Sequence, residues 1–142
     1  IGMSGLSLIM KSKGFKIQGS DILNNKNIER LKKEKIRVFF GHSKQNLKDA
    51  TIVVVSSAIK NNNPELIEAR RKKIPVIKRG KMLASIVSLM KNIVVVGSHG
   101  KTTTTSLIAS ILQETNLDPT ILVVKKHVSV LANILSLSGS SL

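Results

Sequence analysis

Three runs of aliphatic, mostly β-branched residues, 52–55, 93–96 and 121–124, are of strand length and too short for a helix of their own. Between and before them lie segments whose apolar residues recur at helical spacing. A chain built this way is constrained to alternate strands and helices, the pattern of a parallel α/β sheet. No run approaches the roughly 20 apolar residues that a membrane-spanning helix needs, so no membrane insertion is expected.

Composition narrows the chemistry. The 142 residues are 42% hydrophobic and 22% charged, a globular and not a disordered balance. The absence of Cys excludes disulfides, thiolate metal sites and cysteine nucleophiles, and fits a cytoplasmic location. His42, His99 and His127 are far apart in sequence, and no metal site made of protein side chains alone is indicated. Lys and Arg outnumber Asp and Glu by 23 to 8, a net charge of +15. These cations spread over several elements, and Phe15, Phe39 and Phe40 are the only aromatics, leaving no platform for stacked bases. A basic surface that attracts anionic nucleotides explains the charge better than a nucleic-acid binder.

The periodicities predict a Gly-punctuated turn running into a helix over 2–13, with Gly14 as its C-terminal stop. A strand is expected over 15–19, a solvent-facing helix with Ile28 and Leu31 over 27–35, and a strand over 36–40. Residues 51–56 read as a buried central strand. Pro64 starts a helix running to about Lys73, followed by a strand over 74–77. Met82, Leu83, Ile86 and Val87 form one helical stripe. A new unit opens near residue 90 with a strand over 92–96 and a loop over 97–100. A helix over 102–115 follows, with Leu107, Ile108, Ile111 and Leu112 as its apolar stripe. Asp118-Pro119 reads as a turn before a strand over 120–124.

The strongest chemical signal is the strand–loop–helix stretch ending in Gly97-Ser98-His99-Gly100-Lys101-Thr102-Thr103. A glycine loop entering a helix exposes backbone N–H groups at a positive dipole end, where phosphates settle. Lys101 can reach the outer phosphates, and the Thr102 hydroxyl can ligate Mg²⁺. The strict G-x-x-x-x-G-K-[ST] spacing is not met, because Val95 stands at its first Gly. Thr102 to Thr105 form a poor helix start by propensity, which suggests another use for those hydroxyls. Two further candidates are the Gly2, Gly5 pair before the first helix and Gly19-Ser20-Asp21 after a strand. Backbone can approach a pyrophosphate at the first, and an acidic residue suited to a ribose or base stands at the second. Ser56, Ser57 and Ala58 follow the expected central strand, where ligands of open sheets bind.

In order along the chain, Gly2-Met3-Ser4-Gly5, Gly19-Ser20-Asp21, Val55-Ser56-Ser57-Ala58-Ile59, Asn63-Pro64-Glu65-Leu66 and the loop from Gly97 to Thr105 resemble the Mur ligase family. Within it they are most similar to the alanine-adding type, and the departure at Val95 is that family's own form of the loop. The resemblance covers residues 1 to about 121. It implies a Rossmann-like UDP-sugar-binding domain over 1–90, then the start of a central P-loop ATPase α/β domain over 91–142. It also implies a cytoplasmic ATP-dependent ligase of peptidoglycan precursor synthesis, with ATP and Mg²⁺ as cofactors and UDP-N-acetylmuramate and L-alanine as substrates. Gly2, Met3, Ser4, Gly5, Ser20, Asp21, Ser56, Ser57 and Ala58 would face the UDP-sugar. Gly97, Ser98, His99, Gly100, Lys101, Thr102 and Thr103 would hold the nucleotide, with Lys101 catalytic and Thr102 on the metal.

Three departures from the family pattern stand beside the resemblance. The chain starts after the family's first strand and part of its Gly-rich turn, Lys81 occupies a usually acidic position, and the tail from about 123 resembles nothing in the family. A truncated or frameshifted fragment without ligase turnover is expected on that account, its first strand missing. A peptide-recycling ligase of the same family and a non-catalytic nucleotide-binding remnant are the alternatives.

Overall fold

A computed structural model describes residues 2–115, 118–124 and 127–133. The element order is α1 (Met3–Ser12), β1 (Gln18–Asp21), α2 (Lys26–Lys33), β2 (Arg37–Phe40), a 3-10 turn (Lys44–Leu47), β3 (Val53–Val55), α3 (Pro64–Arg71), β4 (Val76–Lys78), α4 (Arg79–Ser88), β5 (Asn92–Val95), α5 (Lys101–Gln113), β6 (Asp118–Val124) and β7 (His127–Asn133). Two compact units divide within α4, one from Gly2 to Leu83 and the other from Ala84 onward.

The first unit is mixed α/β with parallel strands. β1 pairs with β2 from Gln18 opposite Arg37 to Asp21 opposite Phe40, and β3 pairs with β4 from Val53 opposite Val76 to Val55 opposite Lys78. Its core comes from helix faces: Leu6, Ile9 and Met10 of α1, Ile28 and Leu31 of α2, Leu66 and Ala69 of α3, and Met82 of α4, joined by Ile36 and Leu47. Asparagines start two of these helices. Asn25 Oδ1 accepts from the N–H groups of Asn27 and Ile28, and Asn63 Oδ1 from those of Glu65 and Leu66, with Pro64 at the first helical position.

One device ends α1, α2 and α3. Phe15 N–H donates to Met10 O (3.2 Å), Ile36 N–H to Leu31 O (2.9 Å) and Ile74 N–H to Ala69 O (2.8 Å). Each bond closes around a left-handed residue, Gly14 (φ 86°), Lys35 (φ 55°) or Lys73 (φ 56°). This is the Schellman arrangement, which satisfies carbonyls left over at the helix end.

That geometry delays the first strand relative to the expectation over 15–19. Phe15 spends its amide on the cap and stays 56% exposed, so ladder pairing begins only at Gln18. β3 is half-buried, not the buried central strand expected, and β4 is its one partner among the described residues.

In the second unit β7 lies between β5 and β6 and is antiparallel to both. A strand that returns directly after its predecessor must run antiparallel, so the tail makes a hairpin here and not a parallel crossover. Asp118 and Pro119 pair with Asn133 and Ala132 instead of forming a turn. Pro is tolerated there because β6 is an edge strand. The rest of the tail, 134–142, lies outside the described residues. On α5 the inward stripe is Thr105, Ile108, Ala109 and Leu112, while Leu107 and Ile111 are more than 60% exposed. The expected stripe was rotated by about one residue.

Candidate functional site

In the first unit the candidate residues gather at strand ends and at one helix start. Gly2 is the N-cap of α1 and lends it no side-chain cap, so the first-turn N–H groups of Met3, Ser4 and Gly5 have no intrahelical partner. Ser20 and Asp21 end β1. Asp21 accepts from Gly41 N–H through its carbonyl (2.8 Å) and from Leu23 N–H through Oδ1 (2.9 Å), which makes it a turn-former and not the cap of α2. Ser56, Ser57 and Ala58 follow β3 in a tight turn. There the Ser56 hydroxyl accepts from Ala58 N–H (3.3 Å) and the Ser56 carbonyl from Ile59 N–H (3.1 Å).

A polar hub ties the ends of β1 and β2 to the start of α3. Glu65, one residue into α3 after Pro64, takes Ser20 Oγ–H on Oε2 (2.7 Å) and Asn46 Nδ2–H on Oε1 (2.7 Å). His42 Nδ1 lies 3.0 Å from Ser20 Oγ and 3.3 Å from Glu65 Oε2. Asn46 also donates to Gly41 O (3.2 Å) and accepts from Gln18 Nε2 through its own carbonyl (2.7 Å). The start of α3 thereby reaches the C-terminal ends of β1 and β2, the edge of an open sheet where ligands bind. Of this hub, the sequence marks Ser20 as ligand-facing and leaves His42 equally a turn residue or a ligand contact. His42, Asn46 and Glu65 carry no local pattern, although Glu65 stands inside a motif that the resemblance had used.

Beside Asp21 opens a cleft of about 290 Å³ lined by Leu23, Asn24, Ile28, Lys32, Val38, Phe39 and Phe40. The Arg37 guanidinium sits 4.5 Å from the Phe39 ring centroid. Phe40 is 81% exposed and Leu23 63%, so this edge presents apolar and aromatic surface next to a carboxylate. Composition gave no hint of it, because two adjacent Phe residues do not stand out until the strand ends beside Asp21.

In the second unit the loop from Gly97 to Gly100 links β5 to α5. Gly100 caps the helix in the left-handed region (φ 73°), a conformation that favours glycine. Lys101, Thr102 and Thr103 form the first turn, and Thr104 N–H is the first amide to find a carbonyl, Gly100 O at 2.9 Å. The Lys101 ammonium folds back on the loop, 2.5 Å from Gly97 O and 3.0 Å from Ser98 O. Of the threonine run, Thr102, Thr103 and Thr104 are exposed. Thr105 is buried, its hydroxyl donating to Lys101 O (2.7 Å). Among the described residues no three His, Asp or Glu side chains are grouped to hold a metal ion, and no helix is long and apolar enough to cross a membrane.

Comparison with known proteins gives this arrangement a lineage. The chain is 71% identical over 122 residues to UDP-N-acetylmuramate--L-alanine ligase of Pelagibacter ubique, covering 86% of this chain and 26% of that one. It is 52% identical over 123 residues to the enzyme of that name from Aquifex aeolicus, covering 87% of this chain and 27% of the relative. Among solved structures, the UDP-N-acetylmuramate-alanine ligase MurC of Thermotoga maritima superposes with a TM-score of 0.69 at 32% identity, over 78% of this chain and 26% of that one. The chain thus spans about a quarter of the length of these relatives. The sequence profile described as Mur ligase family, catalytic domain, matches residues 1–91, so well over half of the chain carries the family's own pattern, and the chain belongs to the Mur ligase family.

Proposed function

We propose that the chain is the front part of a ligase that joins L-alanine to the carboxylate of UDP-N-acetylmuramate with ATP, in the cytoplasm where precursors of peptidoglycan are made. The observation that carries this reading is the 71% identity over 122 residues to a ligase of that name. The geometry fits it at two places. The unpartnered amides of α1 suit a diphosphate, with Ser20, Asp21 and the neighbouring cleft suited to the uridine and Ser56 to Ala58 near the sugar. The loop from Gly97 to Gly100, with Thr103 beside it, suits the phosphates of ATP.

ATP supplies the phosphoryl group that turns an unreactive carboxylate into an acyl phosphate open to attack by an amine. Lys101 would stabilise charge on the transferred group once its ammonium leaves the carbonyls of Gly97 and Ser98. Thr102, exposed in the first turn of α5, offers its hydroxyl to Mg²⁺.

Calorimetric titration of the purified chain with UDP-N-acetylmuramate and, separately, with ATP and MgCl₂ tests the reading. Saturable binding of both is expected, without formation of UDP-sugar-alanine by this chain alone. ATP binding without UDP-sugar binding would point to a nucleotide-binding module instead. Binding of neither, with tight salt-sensitive binding of random DNA, would overturn the proposal.

A further inference from the structure

The hub around Glu65 can be solved for its protons. Ser20 Oγ carries one hydrogen and lies 2.7 Å from Glu65 Oε2. That short contact to a carboxylate takes the hydrogen, because a charged acceptor makes the stronger bond. His42 Nδ1 then faces acceptors: the remaining lone pair of Ser20 Oγ at 3.0 Å and Glu65 Oε2 at 3.3 Å. Nδ1 must therefore carry the ring hydrogen in the neutral imidazole, and Nε2 is left with the lone pair. Among the described residues Nε2 has no hydrogen-bond partner, and no buried side-chain polar atom lacks one, so Nε2 keeps some access to solvent.

A carboxylate is specifically required for this outcome. Three donors converge on Glu65: Ser20 O–H, Asn46 N–H and His42 N–H. A glutamine amide would turn its own N–H₂ toward one of them. With Asn46 holding Oε1, the carboxylate is also fixed in rotation, and Oε2 is aimed at Ser20 and His42.

We propose that Glu65 is a positioning residue that locks His42 in the Nδ1–H tautomer, so that Nε2 accepts a hydrogen bond from an N–H or O–H donor of a nucleoside-diphosphate sugar bound at the C-terminal edge of β1 and β2. This rests on the reading of that edge as the UDP-sugar site. Long-range ¹H–¹⁵N correlation spectra of the ligand-free chain at pH 8 read the tautomer directly, with the signal assigned by its loss in His42→Gln. The Nδ1–H form is expected in the wild type and in Ser20→Ala, which keeps the His42–Glu65 contact. It is lost in Glu65→Gln, whose dissociation constant for UDP rises about tenfold. An Nε2–H tautomer in the wild type, which needs no variant to fold, would overturn the proposal. So would a Glu65→Gln chain with unchanged tautomer and unchanged UDP affinity. A wild type locked as Nδ1–H that binds no UDP would instead overturn the functional reading beneath, and with it the ligand named here.

Discussion

The Lys101 ammonium rests 2.5 Å from the carbonyl oxygen of Gly97, four residues back across the loop that α5 closes. A cation held by backbone carbonyls has no counter-charge, and a phosphate offers it a stronger partner. The contact therefore spans the loop without neutralising it. Lys101→Ala is expected to weaken ATP binding by at least tenfold, and unfolding stability by no more than about 0.5 kcal/mol, as befits an exposed bond. Paired calorimetric and urea titrations separate the two effects. Unchanged ATP affinity would remove Lys101 from the phosphate site.

The helix ends give a prediction with opposite signs at equivalent positions. Lys35 and Lys73 hold φ values of 55° and 56°, where a Cβ is strained, while Gly14 holds 86° without one. Lys35→Gly and Lys73→Gly should each stabilise the chain by about 0.5 kcal/mol, and Gly14→Ala should destabilise it by about 1 kcal/mol. Nothing stands within 4 Å of a Cβ built on Gly14, so backbone conformation and not crowding sets its sign. Denaturant midpoints at constant slope provide the measurement.

These caps show where the sequence was legible. Gly14 announces a left-handed stop because glycine prefers it, whereas a lysine in the same conformation carries no such mark. The helices over Ile28 and Leu31 and over Met82 to Val87 were readable from their spacing alone. The α5 stripe was not, since Leu107 and Ile108 are adjacent and only a packed sheet decides which of them turns inward. The Glu65 hub was the least legible part of the site. Its members sit at 20, 42, 46 and 65, and it is strand pairing and the start of α3 that bring them within 3.3 Å.

Glu68 supplies a pH-dependent test. Arg71 donates to both of its carboxylate oxygens, at 2.8 and 2.7 Å, and the Lys72 ammonium lies 3.6 Å away. The Arg71 hydrogen bonds, against opposition from burial and with help from the charges of Arg71 and Lys72, pull its pKa from 4.5 to about 2. A folded-state value below the unfolded one means that this contribution is complete above pH 4.5 and is lost as pH falls through about 2. Arg71→Met should return the carboxyl toward its ordinary range in a ¹³C NMR titration. The stability difference between the variant and the wild type should be present at pH 5 and shrink steadily below pH 4.5.

The distribution of buried side chains predicts where the chain is strongest. Leu6 is 1% exposed, and among the residues whose burial is described every buried hydrophobic one except Ala109 belongs to the first unit. Truncating Leu6 leaves a cavity among α1 neighbours that cannot fully collapse, so Leu6→Ala should cost about 2–5 kcal/mol, a large share of a small domain's stability. Leu107→Ala, at a site 62% exposed on α5, should change stability by less than about 0.5 kcal/mol. Native-state hydrogen exchange should show the same asymmetry, with the amides of α1 and α3 outlasting those of α5, because opening a helix with few buried contacts exposes little apolar surface. Equal protection of α3 and α5 would mean that the second unit draws stability from more than the packing of Thr105, Ile108, Ala109 and Leu112.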